Sequence, residues 1–108
     1  MDCPFCDISK IKSKVTERTG CFVFEPLNPV VPGHLLVVNK EHSKDFTDNT
    51  FRFAHTARIA GEIAAEIGGD FNLITSKGLA ATQSVFHCHI HLVPRQEGDG
   101  LALPWTNQ

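Results

Sequence analysis

Three histidines stand at alternate positions, His87, His89 and His91, in the run Ser84-Val85-Phe86-His87-Cys88-His89-Ile90-His91-Leu92-Val93-Pro94-Arg95. They are half of the six histidines in the chain. A neutral imidazole can attack phosphorus and form a covalent phospho-histidine that water or a second nucleophile resolves, and it also binds divalent metals. The Val, Phe, Ile and Leu around the histidines favour a strand. Alternation along a strand then puts His87, His89 and His91 on one face and Phe86, Cys88, Ile90 and Leu92 on the other. Neighbouring histidines are roughly 6.6 Å apart at Cα and the outer pair roughly 13 Å apart. Two can share a metal, whereas three cannot unless the strand bends.

This spacing suggests divided labour. His89, flanked on both sides, is best placed as the nucleophile, with His91 on phosphate oxygens and the leaving group. The preceding segment, Ser76 to Thr82, is a loop of small residues whose Gly78 and Ala81 allow close backbone approach. With Gln83 and Ser84 it is suited to holding phosphate oxygens and stabilising developing charge. Two other readings remain: a metal-dependent hydrolase with His89 and His91 as ligands, and an exposed strand face that is merely histidine-rich.

A second cluster begins the chain. Cys3-Pro4-Phe5-Cys6 has the spacing that lets two thiolates reach one zinc ion from a tight turn. The same spacing serves a redox pair, although the βαβ context of a thioredoxin-like motif does not follow. Two free thiols are the third possibility.

The elements that must position these groups are legible from their patterns. Cys21-Phe22-Val23-Phe24 predicts a strand ended by Glu25-Pro26. The proline-rich stretch from Leu27 to Gly33 is a turn, and His34 to Asn39 is a second strand. Thr47 to Gly68 switches to a helical period, with Phe53, Ala57, Ala60, Ala64 and Ile67 as its apolar stripe. Thr47 or Asp48 is expected to cap its start and Gly68-Gly69 its end. Phe71 to Thr75 is a third strand, the histidine run a fourth, and a weak strand is expected near Val15. His34 reads as a satisfied structural histidine and His55 as a surface or packing residue. Leu101, Leu103 and Trp105 either close a partner's site, pack on a dimer or dock on their own domain.

The 108 residues, 42% of them hydrophobic, suit a single domain with one core. A net charge of −2 without a Lys or Arg run argues against nucleic acid and acidic membrane surfaces as partners. No stretch is long and apolar enough for a membrane span, and Met1-Asp2-Cys3-Pro4 lacks a signal-peptide pattern. A cytoplasmic location is expected. The four cysteines then point to thiols or metal ligands before disulfides.

The stretch from Gln83 to Arg95 resembles the signature of the histidine triad (HIT) family, and Pro32-Gly33-His34-Leu35-Leu36-Val37-Val38 is similar to a second block of that family. The resemblance covers about residues 3 to 95. It implies an α+β fold, an antiparallel sheet of about five strands with one long helix packed on it, paired into a homodimer. It implies an enzyme, a nucleotide hydrolase or nucleotidyl transferase. The reaction would occur at the α-phosphate of a substituted nucleoside monophosphate through a nucleotidyl-histidine on His89. The alternative is a non-catalytic nucleotide-binding or interaction protein. Asn28 would contact the ribose, with Phe5, Phe24 and Leu27 as base-pocket walls for a purine nucleotide and Ser76 at the phosphate-contact position. The resemblance also implies one structural Zn2+ per chain, held by Cys3, Cys6, His42 and His87. The chain departs from the family pattern at Ser76, where many members have asparagine, at Thr82, where glycine usually precedes the glutamine, and at Asn39, where proline is frequent.

Overall fold

The apolar runs separate into two kinds according to their period. Runs rich in β-branched and aromatic residues form the strands, and the single stretch with a 3.6-residue period forms the helix. The computed structural model describes residues 3 to 106. Met1, Asp2, Asn107 and Gln108 lie outside that range, and with them the ends of the two terminal stretches read above.

The strands are β1 (Thr16–Arg18), β2 (Cys21–Phe24), β3 (Leu35–Asn39), β4 (Asp70–Ile74) and β5 (His89–Arg95), and α1 spans Thr50–Ile67. All pairings are antiparallel, in the order β1-β2-β3-β5-β4. This is the expected α+β architecture with a five-stranded sheet and one long helix. Two short 3-10 turns, Ile8–Lys10 and Leu79–Ala81, were not legible as elements, because three residues carry no period.

Helix α1 starts one to two residues later than its expected caps allow. Asn49, rather than Thr47 or Asp48, is the N-cap, and its side chain accepts from the Arg52 N–H. The two expected caps close turns upstream instead: Asp48 accepts from the Lys44 N–H, and the Thr47 N–H and hydroxyl donate to Asp45. Gly68 ends the helix at φ +80°, a left-handed value natural to glycine.

The buried stripe is also rotated from the expected one. Thr56, Ile59, Ala60 and Ile63 are buried, Phe53, Ala57 and Ala64 pack at the margin, and Ile67 is 57% exposed. The stripe covers one sheet face through Cys21, Val23, Val37, Ile90 and Leu92. Burial of a side chain such as Ile59 contributes about 2 kcal/mol.

The opposite sheet face is divided. Over β2 and β3, the amino-terminal segment brings Phe5, Ile11 and Val15 onto Phe24, Leu36 and Val38. Along β5 the same face carries His89, His91, Val93 and Arg95, flanked on β4 by Asn72 and Ile74, which pair with Val93 and His91. At its far end the carboxyl-terminal segment supplies Leu101 and Leu103. The two histidines of β5 therefore lie between coverings drawn from the two ends of the chain.

Candidate active site and metal centre

The triad does not share one strand face. β5 begins at His89, whereas residues 85 to 87 form a bend. The backbone at Cys88 turns to donate its N–H to the Ser43 carbonyl at 2.6 Å. This bend sends the His87 ring toward the amino-terminal cysteines, while His89 and His91 remain on the open face.

His87 is fully buried. Its Nε2 donates to the Asn39 carbonyl at 2.7 Å, which leaves the Nδ1 lone pair free to face Cys3 Sγ, Cys6 Sγ and His42 Nδ1 at 3.3, 3.4 and 3.2 Å. His42 Nδ1 lies 3.3 Å from Cys6 Sγ. All four donor atoms fall within 4.8 Å of one another. Tetrahedral zinc with Zn–S of about 2.3 Å and Zn–N of about 2.0 to 2.1 Å would separate its ligands by roughly 3.3 to 3.8 Å. The donor set and its spacing therefore fit a divalent metal of zinc type. Arg52 holds the loop that carries His42, donating to the His42 carbonyl and to Ser43 Oγ, each at 2.7 Å. Burial holds His87 below the usual histidine range, with His42, His89 and Arg52 adding repulsion. That favours the neutral ring a metal requires.

His89 has a defined tautomer. Its Nδ1 lies 2.8 Å from the His87 carbonyl, which can only accept, so Nδ1 carries the proton and Nε2 the lone pair. Its own carbonyl accepts from Thr75 Oγ1 at 2.8 Å. The Phe5 ring stands edge-on to it, centroids 5.2 Å apart.

His91 is set through a relay. The Val30 N–H donates to His34 Nδ1 at 3.1 Å, and His34 Nε2 lies 2.9 Å from His91 Nδ1. The neutral His34 ring therefore donates from Nε2, and His91 carries its proton on Nε2. Burial, reinforced by His89 and His34, lowers the His91 pKa to about 4, and burial also lowers that of His34. His91 is thus a neutral N–H donor beside the lone pair of His89.

His34, His89 and His91 line a cavity of about 300 Å³ together with Ser76, Thr82 and Gln83. Gln83 is buried, and its amide is fully engaged: Oε1 accepts from the Gly78 N–H, and Nε2 donates to the Lys44 and Val85 carbonyls. In this arrangement it shapes the loop. Ser84 is exposed and borders a different cavity, with Cys3, Cys6 and His42. Phe5 and Phe24 are buried in the smaller core cluster, 5.5 Å apart at their ring centroids. Leu27 is 82% exposed, and Asn28 is exposed beside it.

Sequence reasoning assigned His34 a structural role and passed over Val30, Asn72, Val93 and Arg95. The alternation His89, His91, Val93, Arg95 was the available signal, because it places all four on one strand face.

An antiparallel five-stranded sheet, one covering helix and a histidine pair beside a buried third histidine define a class, and the comparisons agree with it. The HIT domain model matches residues 9 to 98, and this chain belongs to the HIT domain family. It is 36% identical to a HIT-like protein of Methanocaldococcus jannaschii over 91% of this chain and 82% of that one. It is 35% identical to the adenosine 5'-monophosphoramidase of Saccharomyces cerevisiae, over 98% of this chain and 71% of that protein. Among solved structures, a zinc-bound histidine triad family protein from Mycobacterium smegmatis superposes with a TM-score of 0.82 at 33% identity, covering 94% and 80% of the two chains.

Proposed function

We propose that this protein hydrolyses or transfers the nucleotidyl group of a substituted nucleoside monophosphate, with His89 as nucleophile. The observation that carries this reading is the hydrogen bond from His89 Nδ1 to the His87 carbonyl, which directs the lone pair to Nε2. Attack of Nε2 on the α-phosphorus forms a P–N bond as the bond to the substituent breaks, and the substituent departs with that electron pair and takes up a proton from solvent. The ring becomes cationic, and the carbonyl on Nδ1–H stabilises it. Water then attacks phosphorus, gives up a proton to solvent, and the P–N bond breaks with its electron pair returning to Nε2. The net reaction adds hydroxyl to phosphorus and hydrogen to the leaving group. The Nε2–H of His91 hydrogen-bonds the phosphoryl oxygens or the departing atom.

Asn28, Phe5, Phe24 and Leu27 are assigned to the nucleoside, following the family pattern. Phe5, in contact with both Phe24 and His89, supports a purine on the amino-terminal side of the nucleophile. Ser76 and the adjoining loop are assigned to phosphate contact, and Ser84 to charge stabilisation after a local rearrangement. Cys3, Cys6, His42 and His87 would hold one structural zinc, which supplies a crosslink and leaves no open position for substrate. The named activity of the yeast relative and the zinc in the mycobacterial one support both assignments. A homodimer joined through β4 is also part of the reading, since β4 is an edge strand whose Leu73 and Ile74 are 46% and 38% exposed.

The test is release of nucleoside monophosphate from an adenosine 5'-phosphoramidate and from a dinucleoside polyphosphate, comparing the protein with a folded His89→Ala variant. Turnover that disappears with His89 supports the proposal. Equal nucleotide binding by two inactive proteins would leave a binding protein in its place.

A further inference from the structure

The connection from β3 to α1 has no regular structure, yet it meets the histidine segment at successive points. The Asn39 carbonyl lies 2.7 Å from His87 Nε2. The Ser43 carbonyl accepts the Cys88 N–H at 2.6 Å, and the Lys44 carbonyl accepts Gln83 Nε2 at 2.8 Å.

The middle contact bears directly on the nucleophile. The Cys88 N–H and the His87 carbonyl belong to one peptide unit, which is trans and planar, so the two groups point in opposite directions. The Ser43 carbonyl fixes one of them, and His89 Nδ1 lies 2.8 Å from the other. A rotation of this peptide plane would withdraw the acceptor from Nδ1 and free the His89 proton to move to Nε2, the atom that must attack.

Arg52 holds the Ser43 backbone in place. Its Nη1 donates to the His42 carbonyl and to Ser43 Oγ, each at 2.7 Å, and its Nη2 donates to Glu41 Oε2 at 2.9 Å. Among the described residues, no other side chain donates to the His42 carbonyl or to the hydroxyl of the buried Ser43. The Glu41 side chain is 77% exposed, so water screens that ion pair and it contributes little. The two Nη1 bonds, made by a charged donor to partners held on the protein, do the holding. The place of Arg52 in its own helix points the same way. It is the third residue of α1, whose first turn has no acidic side chain, and a cation there opposes the helix macrodipole. A charge set against its local field is explained by what it contacts beyond its own element.

We infer that Arg52 is a positioning residue for the nucleophile: by holding residues 42 and 43 it fixes the peptide plane between His87 and Cys88, and through it the tautomer and direction of the His89 ring. Arg52 itself touches neither substrate nor metal. The inference rests on the nucleotidyl-transfer reading and adds to it a residue, on the far side of the β3–α1 connection, that aligns its nucleophile.

The experiment compares Arg52→Met, Arg52→Lys and Glu41→Gln with the wild type, with folding checked by thermal melts and zinc content measured in each. Two readings are taken: kcat and KM on an adenosine 5'-phosphoramidate, and the ring-nitrogen NMR shifts of His89, which report its tautomer without turnover. In Arg52→Met, kcat should fall about tenfold with KM nearly unchanged, the scale expected when a reacting group is slightly misplaced, and His89 should show mixed tautomers. Arg52→Lys keeps the charge without the planar fork and should lie between Arg52→Met and the wild type, which Glu41→Gln should match. If Arg52→Met fails to fold, the same readings on Arg52→Lys decide, and wild-type values in both would overturn the inference. An unchanged kcat and His89 spectrum in folded Arg52→Met would overturn it too, as would a loss of kcat that added zinc restores in full. A wild type inactive on the phosphoramidate would overturn the nucleotidyl-transfer reading, and the His89 spectra would still decide the role of Arg52.

Discussion

His34 Nε2 lies 2.9 Å from His91 Nδ1, and the Val30 N–H on the other nitrogen of His34 gives that contact its direction. His91 is held as the tautomer with its proton on Nε2. Replacing His34 by alanine releases Nδ1 and allows the proton to move there, away from the substrate. His34→Ala should lower kcat by at least about tenfold, part of the 10² to 10⁴ that a positioned proton-transfer group contributes, with a smaller change in KM. Steady-state kinetics on the preferred phosphoramidate checks this, and an unchanged kcat would remove His34 from the relay.

Stability should depend on pH in a definite direction. The folded pKa of His91 is about 4 and that of His34 is also lowered, against about 6.5 in an unfolded chain. Between these values the unfolded chain binds protons that the folded protein does not, so unfolding becomes easier as pH falls. The contribution is fully present above about pH 6.5 and is lost progressively toward pH 4. Urea denaturation at pH 7.5, 6 and 5 should show a falling midpoint. In His91→Phe, which keeps an aromatic ring without the titration, the fall should be shallower.

The cysteine and histidine cluster predicts one zinc per chain by elemental analysis and a metal-dependent melting temperature. Cys6→Ser should lose the ion, as should a strong chelator acting on the wild type. A loss of ~2 kcal/mol corresponds to a fall of roughly 10 °C for a domain of this size. Equal melting temperatures with and without chelator, in a protein shown to contain zinc beforehand, would contradict a structural role.

Thr82 has φ +70°, a left-handed conformation that costs a β-branched residue about 1–2 kcal/mol. Glycine adopts it without the side-chain clash, although it gains entropy in the unfolded chain. Thr82→Gly should raise stability by about 0.5–1 kcal/mol, measured as a shift in urea midpoint at constant slope. A lower midpoint would show that the hydroxyl or methyl group makes contacts worth more than the strain.

Strands β2 to β5 were legible from their apolar runs, as Cys21 to Phe24 is before Glu25-Pro26, whereas β1, Thr16-Glu17-Arg18, has no apolar residue and gave only a weak signal near Val15. The cysteine and histidine set was legible only through family resemblance, since Cys3 and His87 are 84 residues apart and spacing cannot reveal such a contact. The bend at residues 85 to 87 was hidden. Val85 and Phe86 have strand propensity, and the hydrogen bond from Cys88 N–H to Ser43 that ends the extension at that point depends on tertiary structure. The cap of α1 was missed for a related reason. Thr47, Asp48 and Asn49 are all competent caps, and local hydrogen bonds to Asp45 and Lys44 occupy the first two.

The placement of the histidine face between coverings from the two ends of the chain has a kinetic consequence. The metal set joins residues 3 and 87, and the relay joins 34 and 91, so both depend on loop closures across 84 and 57 residues. During synthesis neither can form until β5 has left the ribosome, and such non-local closures are among the slower steps of folding. Metal retention and nucleophile alignment should therefore appear late and close together in time. Zinc uptake during refolding would then report the docking of β5 between β3 and β4.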